Sequence, residues 1–376
     1  MIIVVNTRLL IPNKLDGIGR FTAETLARIT TRHPEAHFVF LFDRPVDAQF
    51  IFSDNITPVK LMPPARRTWL FNIWLNFSVH GALRDLKPDL FLSPDGFLPL
   101  KGNTPMLPVI HDLNFEHYPE DLPPGYTKWY QEKFPLFARK GTRIATVSEF
   151  SASDISSKYN IDRDKIDVVC NGAGNGFRPL SSDQIIKVRK HYAQGQPYFL
   201  YIGALHPRKN LPRLIEAYGK FRKNGGEDIK LVIAGGKYWN YTALQDALKH
   251  VPNTKDVIFT GRISDQALQT LLGGALALTY VPYFEGFGIP IIEAMQCDIP
   301  VVTSDRTAMP EVAGNAALFV DPFSVDSIAA GLQQIASSEA LRQDLINKGR
   351  VRRQLYTWDR AADLLWDSMM KCIPNK

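Results

Sequence analysis

Short apolar runs alternate with longer amphipathic stretches throughout the first half of the chain. The runs predict strands at 2–5, 38–42, 56–61, 90–92, 106–110 and 143–147. Helical patterns lie between them, at 21–29 and, most clearly, at 71–86 and 126–140. Apolar strands that alternate with helices are typical of a parallel sheet covered on both faces. The pattern therefore predicts an α/β fold with a doubly wound parallel sheet.

The same alternation starts again after a glycine-rich stretch at 171–176. It predicts strands at 198–202, 230–234, 274–281, 299–303 and 317–320, a strand end and turn within 257–265, and helical segments at 211–222, 268–272, 324–355 and 358–370. A length of 376 residues fits two domains of ordinary size, and the glycine-rich stretch marks the boundary between them. We place this boundary between residues 178 and 179.

Composition and charge narrow the function classes. The chain is 45% hydrophobic and 22% charged, with a net charge of +6. This mild charge fits anionic small ligands or a loose attraction to anionic lipid, whereas nucleic-acid binding would need a basic stripe with interleaved aromatic residues. The cysteines Cys170, Cys297 and Cys372 are scattered, so we expect neither a disulfide framework nor a metal site, and we expect a reducing cytoplasm. Neither a signal peptide nor a membrane span is predicted.

One loop in the second half has the features of a phosphate site. The strand at 274–281 leads into a loop with Gly286 and Gly288, and the apolar run 289–295 then predicts a helix with Pro290 near its start. Glycines let a ligand approach the backbone, and a helix N-terminus presents free N–H groups and a positive dipole end. The loop therefore predicts a site for an anion such as phosphate.

Two glutamates accompany this loop. Glu285 lies in the loop and Glu293 lies one turn inside the helix, so both can face the same ligand. Carboxylates accept hydrogen bonds from hydroxyl groups, which points to a phosphate with sugar hydroxyls on either side. The alternative is a strand–turn–helix joint with two solvated glutamates.

A pair of cations stands at another strand–loop–helix joint. Arg208 and Lys209 follow the strand at 198–202, and the helix at 211–222 comes next. A forked guanidinium and a compact ammonium together can neutralise a diphosphate, although exposed Arg-Lys pairs are also common on surfaces. Asn210 is predicted to cap the helix.

Polar residues follow two strands of the first half, where ligands of doubly wound sheets bind. His111 and Asp112 come directly after 106–110, and Ser148 comes after 143–147. A lone histidine at a strand end is more often structural, Asp112 can cap or orient its loop, and Ser148 first suggests a helix cap, with Ser151 as the alternative.

Two further motifs are weaker evidence for a binding site. Gly17 and Gly19 follow the first strand, but Thr22 stands where a dinucleotide fingerprint needs its third glycine, so a tight turn is the simpler interpretation. Asp162 and Asp164 form an Asp-x-Asp pattern in what we predict to be a polar turn, not a metal site.

In their order along the chain, these motifs resemble those of the family-4 retaining glycosyltransferases, which have the GT-B fold. The resemblance rests on Glu285 and Glu293 with Gly-Phe-Gly between them, on Gly203 followed by Arg-Lys-Asn at 208–210, and on Gly261. It covers nearly the whole chain and is weaker in the first half. It implies two Rossmann-like domains facing across a cleft that closes on the donor. The first, 1–178, would bind the acceptor, with 358–376 packing back on it, and the second, 179–357, would bind the donor.

The resemblance also implies roles for individual residues. Arg208 and Lys209 would bind the donor diphosphate, and with His111 and Glu285 they form the expected catalytic group. Asp112 and Ser148 would face the acceptor. Glu293 would bind ribose, and Glu285 the sugar. The full set of expected donor-binding residues is Gly17, Gly19, Gly203, Gly261, Arg262, Ile263, Phe287, Gly288, Ile289 and Glu293.

The implied activity is retaining transfer of a hexose from a nucleotide-diphospho-sugar to a glycan or lipid-linked acceptor, in bacterial surface polysaccharide or lipopolysaccharide synthesis. GDP-mannose is favoured as donor, with a UDP-hexose close behind, and neither metal nor another cofactor is expected. A nucleotide-sugar 2-epimerase and a non-catalytic binding protein on the same fold are the rival hypotheses.

A peripheral membrane contact is a further hypothesis. Arg66 and Arg67 precede a helical segment containing Trp69 and Trp74, a composition suited to a membrane interface. The alternative is a helix packed on its own domain.

Overall fold

The chain divides into two compact units. The computed structural model describes residues 1–226, 228–236 and 241–374. One unit joins Met1–Gly172 to Trp358–Lys376, and the other is Ala173–Thr357. The boundary between them falls inside the glycine-rich stretch, a few residues before position 178. Each unit has its own parallel sheet flanked by helices, so the predicted α/β class is confirmed.

The first unit is built on short parallel strands, which are largely buried except for the edge strand Ile56–Lys60. Within the described residues its main sheet contains β1 (Ile2–Asn6), β2 (His37–Phe42), β3 (Ile56–Lys60), β4 (Leu90–Ser93) and β5 (Met106–Pro108). Their order is β3-β2-β1-β4-β5. A separate pair, β6 (Ile144–Thr146) and β7 (Ile166–Val168), follows β5, and a parallel bridge joins Val109 to Ala145. The strand order reverses between β1 and β4, which is where ligands of such sheets bind.

Helices of the first unit cover this sheet. They are α1 (Gly17–Arg32), α2 (Thr68–Ile73), α3 (His80–Leu86), α4 (Asn114–His117), α5 (Pro124–Lys140) and α6 (Glu149–Tyr159). A π-helical segment, Trp74–Val79, joins α2 to α3, so the single helix predicted at 71–86 is in fact three consecutive pieces. Its buried side chains are Trp74, Leu75 and Val79. The apolar period that predicted one helix is kept while the backbone pitch changes.

The second unit repeats the plan with a wider sheet. Its described strands are β8 (Tyr198–Ile202), β9 (Lys230–Ala234), β10 (Val257–Gly261), β11 (Ala277–Tyr280), β12 (Val301–Ser304) and β13 (Ala317–Val320). They run parallel in the order β10-β9-β8-β11-β12-β13. The order reverses between β8 and β11, so the loops after these two strands lie at the switch point of the sheet.

Helices flank this second sheet. They are α7 (Ser182–Ala193), α8 (Leu211–Lys223), α9 (Tyr241–Leu248), α10 (Asp265–Gly273), α11 (Ile289–Gln296), α12 (Met309–Ala313), α13 (Val325–Ser337) and α14 (Glu339–Arg352). The helical region predicted at 324–355 is two helices, because Ser338 leaves the helical conformation between them. Its side chain accepts a hydrogen bond from the Leu341 N–H and caps α14. A short 3₁₀ helix, Arg353–Leu355, ends the unit.

The last helix, α15 (Trp358–Cys372), belongs to the first unit. It packs against α1, where Arg32 pairs with Asp363 at 2.6 Å and the rings of His33 and Trp366 stack 3.6 Å apart. Ser368 also donates a hydrogen bond of 2.8 Å to Asp167. The helix α15 is therefore attached to the first unit by an ion pair, an aromatic stack and a hydrogen bond to the carboxylate of Asp167.

Candidate donor and acceptor sites

The switch point of the second sheet gathers three of the charged residues singled out in the sequence. Arg208 and Lys209 lie in a 3₁₀ turn, Pro207–Lys209, in the loop after β8. Glu285 lies in the loop after β11, the strand that pairs with β8. A backbone hydrogen bond of 3.0 Å from the Tyr283 N–H to the Arg208 carbonyl ties the two loops together. Residues more than seventy positions apart are thus held in one place by the parallel pairing.

Glu285 is the centre of this cluster. Its Oε2 atom accepts hydrogen bonds from Arg208 Nη1 at 3.2 Å and from Lys209 Nζ. The hydroxyl of Tyr280 donates to the same oxygen at 3.0 Å and accepts from Lys209 Nζ at 2.6 Å. We call these four residues, Tyr280, Glu285, Arg208 and Lys209, the carboxylate cluster. Charge-assisted bonds of this kind are stronger than neutral ones.

The protonation of Glu285 follows from its neighbours. Burial by itself raises the pKa of this carboxyl, but the positive charges of Arg208 and Lys209, with hydrogen bonds from Lys209 and Tyr280, outweigh burial and lower the pKa to about 2. Burial and the charge of Glu285 together raise the pKa of Tyr280 well above its usual value. At neutral pH the cluster therefore contains one carboxylate, two cations and a neutral phenol.

Tyr280 was not identified from the sequence. It ends the apolar run of β11 and is 1% exposed, so it has the pattern of an ordinary core residue. Only its position as the last residue of a strand at the switch point distinguishes it, and that position needs the sheet order to be known. Its phenol supplies the hydroxyl that bridges Lys209 and Glu285.

The loop after Glu285 opens α11 as predicted. Gly288 stands at the N-cap with a φ of 91°, a left-handed conformation that favours glycine, and a Cβ there would lie 2.8 Å from the Met309 Cε. Ile289 and Pro290 form the first helical turn. The ring of Phe287 packs edge-on against Tyr356 at 5.4 Å, so its side chain belongs to the unit's own packing. What this loop offers a ligand is therefore backbone.

Glu293 lies on the second turn of α11 and is 4% exposed. The structure therefore shows a buried glutamate, and the alternative of two solvated glutamates is wrong for both members of the pair, because the side chain of Glu285 is only 12% exposed. Burying a carboxylate is costly unless charges or hydrogen bonds compensate it. Two buried carboxylates flanking a glycine-rich helix start are more than a structural joint requires.

Asn210 has a different role from the predicted one. It stands at the N-cap of α8 in a left-handed conformation, φ 61°, but within the described chain its side chain makes no capping hydrogen bond. Its amide donates instead to the carbonyls of Val281 and Pro322, at 3.0 and 2.6 Å. Asn210 therefore connects the loops after β8, β11 and β13. It fixes the frame around Arg208 and Lys209.

Two glycines predicted to bind the donor lie at the ends of the strands on either side of β9. Gly203, φ 153°, follows β8, and Gly261, φ 69°, ends β10. Gly235 connects them, because its N–H donates to the Gly261 carbonyl at 3.0 Å and a Cβ on it would lie 1.8 Å from the Gly203 oxygen. Arg262 and Ile263 follow directly, and Ser264 caps α10 through the Ala267 N–H.

A cavity of about 810 Å³ opens beside these strand ends. Its wall is largely apolar, with His206 and Gly261 on the same wall as the side chains of Leu211, Leu244, Leu248 and Phe259. Arg262 and Ile263 are not among the described residues that line it. Of the three consecutive donor-binding candidates Gly261, Arg262 and Ile263, only Gly261 contributes to this cavity within the described chain.

His111 lies at the end of β5 in the first unit, and its ring is engaged. Its Nε2 lies 2.9 Å from the Pro94 carbonyl oxygen, which can only accept, so Nε2 carries a hydrogen. Burial lowers the pKa of His111, against the hydrogen bond to Pro94 and the nearby carboxylates, which raise it. The ring also packs edge-on against Phe21 at 5.2 Å. The side chain is thus held in one orientation.

Asp112 and Ser148 both make local backbone contacts. Asp112 accepts a hydrogen bond of 3.1 Å from the Asn114 N–H, which orients the loop before α4. Ser148 caps α6 by accepting from the Ser151 N–H at 3.1 Å. Ser151 in turn donates its hydroxyl to the His111 carbonyl at 3.2 Å. The structural interpretations of these residues are therefore correct as far as their contacts go.

The glycines after β1 do not form the predicted turn. Gly17 and Gly19 lie in the first turn of α1, which starts four residues before the helix expected at Phe21, because Asp16 caps it through the Gly19 N–H. A Cβ on Gly19 would lie 2.9 Å from the Leu9 oxygen, so packing requires glycine there. A Cβ on Gly17 would meet no described atom within 4 Å, which leaves its backbone open to a ligand.

An ionic network at the switch point of the first sheet was missed. Asp95, 8% exposed, accepts from Arg8 Nε at 2.6 Å and from Asn6 Nδ2 at 2.8 Å. Arg8 also lies over the ring of Phe71 at 4.7 Å. Asn6 ends β1 and Asp95 follows β4, so the pairing of these strands brings them together. In the sequence they are isolated polar residues with no common motif.

Comparison with known proteins agrees with this arrangement. Residues 15–173 match the model described as Glycosyltransferase Family 4, and residues 183–352 match Glycosyl transferases group 1. The chain is a glycosyltransferase that contains both of these family domains. O-antigen chain mannosyltransferase B of Escherichia coli is 28% identical over 305 residues, which are 81% of this chain and 77% of that protein. O-antigen chain mannosyltransferase RfbU of Salmonella typhimurium is 29% identical over 70% of each chain.

Solved structures share the fold of this glycosyltransferase. WaaG, a glycosyltransferase involved in lipopolysaccharide biosynthesis, superposes with a TM-score of 0.78 at 14% identity and covers 98% of this chain and 99% of its own. Sucrose-phosphate synthase from Thermosynechococcus elongatus gives 0.77 at 15% identity and 98% of each chain. The predicted GT-B fold is thereby confirmed.

Two other sequence predictions concern metals and membranes. Asp162 caps a 3₁₀ turn, Arg163–Lys165, that precedes β7, and it accepts a hydrogen bond from the N–H of Asp164 within that turn. This part of the glycosyltransferase is therefore the polar turn that was predicted. Among the described residues, no group of three or more His, Cys, Asp or Glu side chains is placed to hold a metal ion. Nor does any described helix have the length and apolar character needed to cross a bilayer.

Proposed function

We propose that this glycosyltransferase moves a hexose, mannose first, from a nucleotide-diphospho-sugar to a glycan or lipid-linked acceptor in bacterial surface polysaccharide or lipopolysaccharide synthesis, with retention of anomeric configuration. The observation that carries the proposal is the carboxylate cluster beside the start of α11. It puts Arg208 and Lys209 next to the glycine loop, so that side-chain cations and helix N–H groups serve one anion. A diphosphate attached to a sugar fits this combination.

In the reaction, negative charge grows on the diphosphate as the bond to the sugar breaks. Arg208, Lys209 and the N–H groups at Ile289 stabilise that charge without having to rearrange, which is the largest contribution most active sites make. Glu285, with the amides of Phe287 and Gly288, holds the sugar, and Glu293 binds the ribose hydroxyls. Gly261, Arg262 and Ile263 are assigned to the nucleotide base. Gly203, and Gly17 and Gly19 of the first unit, are assigned to the donor without a more specific role.

The roles assigned to the first unit concern the acceptor and the reacting end of the sugar. We assign His111 to that end, where its fixed ring, with hydrogen on Nε2, would position the sugar rather than titrate. Asp112 and Ser148 shape the acceptor side through the loop and helix that they hold. We assign no side-chain nucleophile, and retention would follow from attack on the leaving-group face.

Mannose is put first because the relatives named above are mannosyltransferases. A UDP-hexose is the second choice, since a solved neighbour of the same fold, HepE of Anabaena, was determined with UDP and glucose. Reading of the base through backbone groups does not choose between guanine and uracil. We propose that neither a metal nor another cofactor is needed, because two cations and a helix N-terminus already face the diphosphate.

The first experiment is calorimetric titration with GDP, UDP, ADP and their sugar conjugates, with chelator present. One nucleotide should bind at least tenfold more tightly than the others, about 1.4 kcal/mol. The double variant Arg208→Ala/Lys209→Ala should lose that binding, and equal affinity in the variant would refute the site. Lys249→Ala, an exposed lysine of the same unit that pairs with Asp246, is the charge control.

The same preparation separates the rival functions. A transferase releases the nucleoside diphosphate only when an acceptor is present and attaches the hexose to it. A 2-epimerase converts the donor without any acceptor, and a binding protein gives affinity without turnover. Product analysis of the sugar with and without a glycan acceptor therefore decides among the three.

We further propose that the glycosyltransferase works in the cytoplasm and touches the inner face of the membrane. Trp69, Ile73 and Phe77 form an exposed apolar stripe on α2 and the π-helical segment, 58%, 39% and 69% exposed, with Met62 nearby. Residues 55–84 contain Lys60, Arg66, Arg67 and Arg84 and no acidic residue. An apolar stripe with basic flanks suits an anionic lipid surface.

Vesicle sedimentation tests this contact. Wild-type protein should sediment with vesicles containing anionic lipid and much less with neutral vesicles, and Trp69→Ser/Phe77→Ser should abolish the difference. Phe323→Ser, an exposed aromatic residue of the second unit, is the control. Equal sedimentation of wild type and double variant would remove the membrane from the proposal.

A further inference from the structure

The two cations assigned to the diphosphate are already engaged in the structure. Arg208 and Lys209 both donate to Oε2 of Glu285, and the side chain of Lys209 is only 13% exposed. A diphosphate that approaches these cations therefore meets a carboxylate on the same donors. Two anions cannot share buried cations without repelling each other.

We propose that Glu285 is a built-in counter-ion of Arg208 and Lys209, which the donor diphosphate displaces, and that this exchange weakens binding of the free nucleoside diphosphate relative to the intact donor. The inference rests on the proposed function and adds to it a determinant of specificity between substrate and product. Glu285 then has two partners in turn, the cations before the donor binds and the sugar afterwards.

The charge states favour such an exchange. While it is paired with Arg208 and Lys209, the carboxyl of Glu285 is ionised at neutral pH, since these neighbours outweigh burial and lower its pKa to about 2. A diphosphate carries more negative charge than one carboxylate and offers several acceptor oxygens, so it competes well for Arg208 and Lys209. The carboxylate set free must then find new donors or remain poorly solvated.

The contacts of Glu285 allow its side chain to turn while its backbone stays in place. The Glu285 N–H donates to Thr307 Oγ1 at 3.3 Å, and its carbonyl accepts from the Ala308 N–H at 3.4 Å. Both contacts hold the loop from the side of β12 and α12. The three side-chain donors all use Oε2, and Oε1 takes no part in these contacts.

Tyr280 keeps the cations in position during the exchange. Its hydroxyl accepts from Lys209 Nζ at 2.6 Å and donates to Glu285 at 3.0 Å. When the carboxylate leaves, the phenol oxygen can still accept a hydrogen bond from the ammonium of Lys209. Tyr280 is therefore a positioning residue for Lys209.

Donor and product differ in what they give back to Glu285. The intact donor brings sugar hydroxyls, which donate to the displaced carboxylate and compensate its loss of Arg208 and Lys209. The nucleoside diphosphate alone displaces the carboxylate and offers it nothing. After transfer, Glu285 therefore returns to the cations and favours release of the product.

The test compares affinities for the free nucleoside diphosphate and for its sugar conjugate, using the nucleotide that wild-type protein binds best. Glu285→Gln removes the competing charge and keeps an oxygen for the sugar. We expect it to bind the nucleoside diphosphate at least tenfold more tightly than wild type does, and to lose most of the preference for the intact donor. Asp305→Asn, an exposed carboxylate of the same unit, is the matched charge control and should change neither affinity.

A second variant protects the test against misfolding. Glu285→Asp keeps the charge on a shorter side chain that reaches the cations less well, so its affinity for the nucleoside diphosphate should lie between those of wild type and Glu285→Gln. If Glu285→Gln does not fold, a smaller increase over wild type must still appear in Glu285→Asp. Equal or weaker product binding in the variants that fold overturns the inference. Absence of nucleotide binding in wild type and all variants overturns the proposed function instead.

A readout for Tyr280 uses the same titrations. Tyr280→Phe should weaken donor binding about tenfold, whereas binding to Tyr280→Phe/Lys209→Ala should be no weaker than binding to Lys209→Ala alone, because the phenol acts through Lys209. Additive losses in the double variant would show that Tyr280 has only a separate packing role.

Discussion

The two switch points of this glycosyltransferase use polar residues in opposite ways. In the second unit, residues from the loops after β8 and β11 meet on one carboxylate, and their charges are held by one another. In the first unit, His111, Asp112 and Ser148 contact backbone groups close to them and hold the loops in place. The ionic network there is instead that of Asn6, Arg8 and Asp95. The switch point of the second unit concentrates charge that can bind an anion, whereas the side chains at that of the first unit mainly hold its loops in fixed positions.

The difference accords with the ligands proposed for each unit. A diphosphate needs a concentration of positive charge, which demands particular residue types at particular positions and so leaves a motif. A neutral glycan is recognised by shape and scattered hydrogen bonds, which many residues can supply. A site of the second kind is therefore difficult to see in a sequence even when its strands are predicted correctly.

The largest effect is expected from breaking the network of the first unit. Asp95→Asn leaves the guanidinium of Arg8 without its buried carboxylate, and removing one partner of such a pair costs about 3 kcal/mol. Because a chain of two units need not unfold in one step, the measurement is hydrogen exchange of peptides from β1 and β4.

The matched control is Asp85→Asn, which breaks the exposed pair between Arg84 and Asp85. Such surface pairs contribute little, so exchange should stay as in wild type. If the peptides of Asp95→Asn exchange no faster than those of this control, the network of Asn6, Arg8 and Asp95 does not hold the first switch point together. The claim that this network stabilises the first unit would then be wrong.

The sequence predicted most of the fold because the apolar strands are short, buried and separated by clear helices. Strands 198–202, 230–234 and 317–320 were predicted with the bounds that the structure shows. Errors arose where a local contact overrode the period. Asp16 caps α1 early, Ser338 divides a long helical region, and a π-helical segment interrupts the helix at 71–86.

The candidate donor site could be predicted only where its residues form motifs that are contiguous in the sequence. Arg208, Lys209 and Glu285 were singled out, but their mutual contact was not, because it depends on β8 and β11 being neighbours in the sheet. Tyr280 and the Arg8–Asp95 pair were missed for the same reason. Asn210 was predicted to cap α8 because it directly precedes that helix. Its side chain instead donates hydrogen bonds to two loops that are distant in sequence.

A smaller effect separates a helix cap from an acceptor contact. Ser148→Ala removes the capping hydrogen bond of α6, which should cost about 1 kcal/mol of local stability. Ser264→Ala removes the equivalent cap of α10 in the second unit and is the reference. If Ser148 also shapes the acceptor side, only Ser148→Ala should raise the KM for the acceptor, and equal kinetics of the two variants would reduce Ser148 to a cap.

The smallest effect concerns pH and compares one carboxylate from each unit. Burial raises the pKa of Asp167, but hydrogen bonds from Arg143, Lys371 and Ser368 outweigh it and lower the pKa to about 2. The pKa of Glu285 is likewise lowered to about 2. A lowered folded-state pKa gives stability that is complete above the ordinary values of 3.8 and 4.5 and is lost as pH falls through about 2. Between pH 5 and 8 neither carboxylate should therefore contribute any pH dependence.

Thermal unfolding across pH 3 to 8, read at the transition of the unit that carries the substitution, checks this for Asp167→Asn and Glu285→Gln against wild type. The difference in Tm between each variant and wild type should be constant above pH 5 and shrink below about pH 4, as protonation makes wild type resemble the variant. A difference that changes between pH 6 and 8 would contradict the assignment, because it would require the carboxylate to titrate near neutrality. For Glu285 that result would also mean that the carboxylate is not firmly paired with Arg208 and Lys209. For Asp167 it would mean that α15 is held mainly by its contacts with α1.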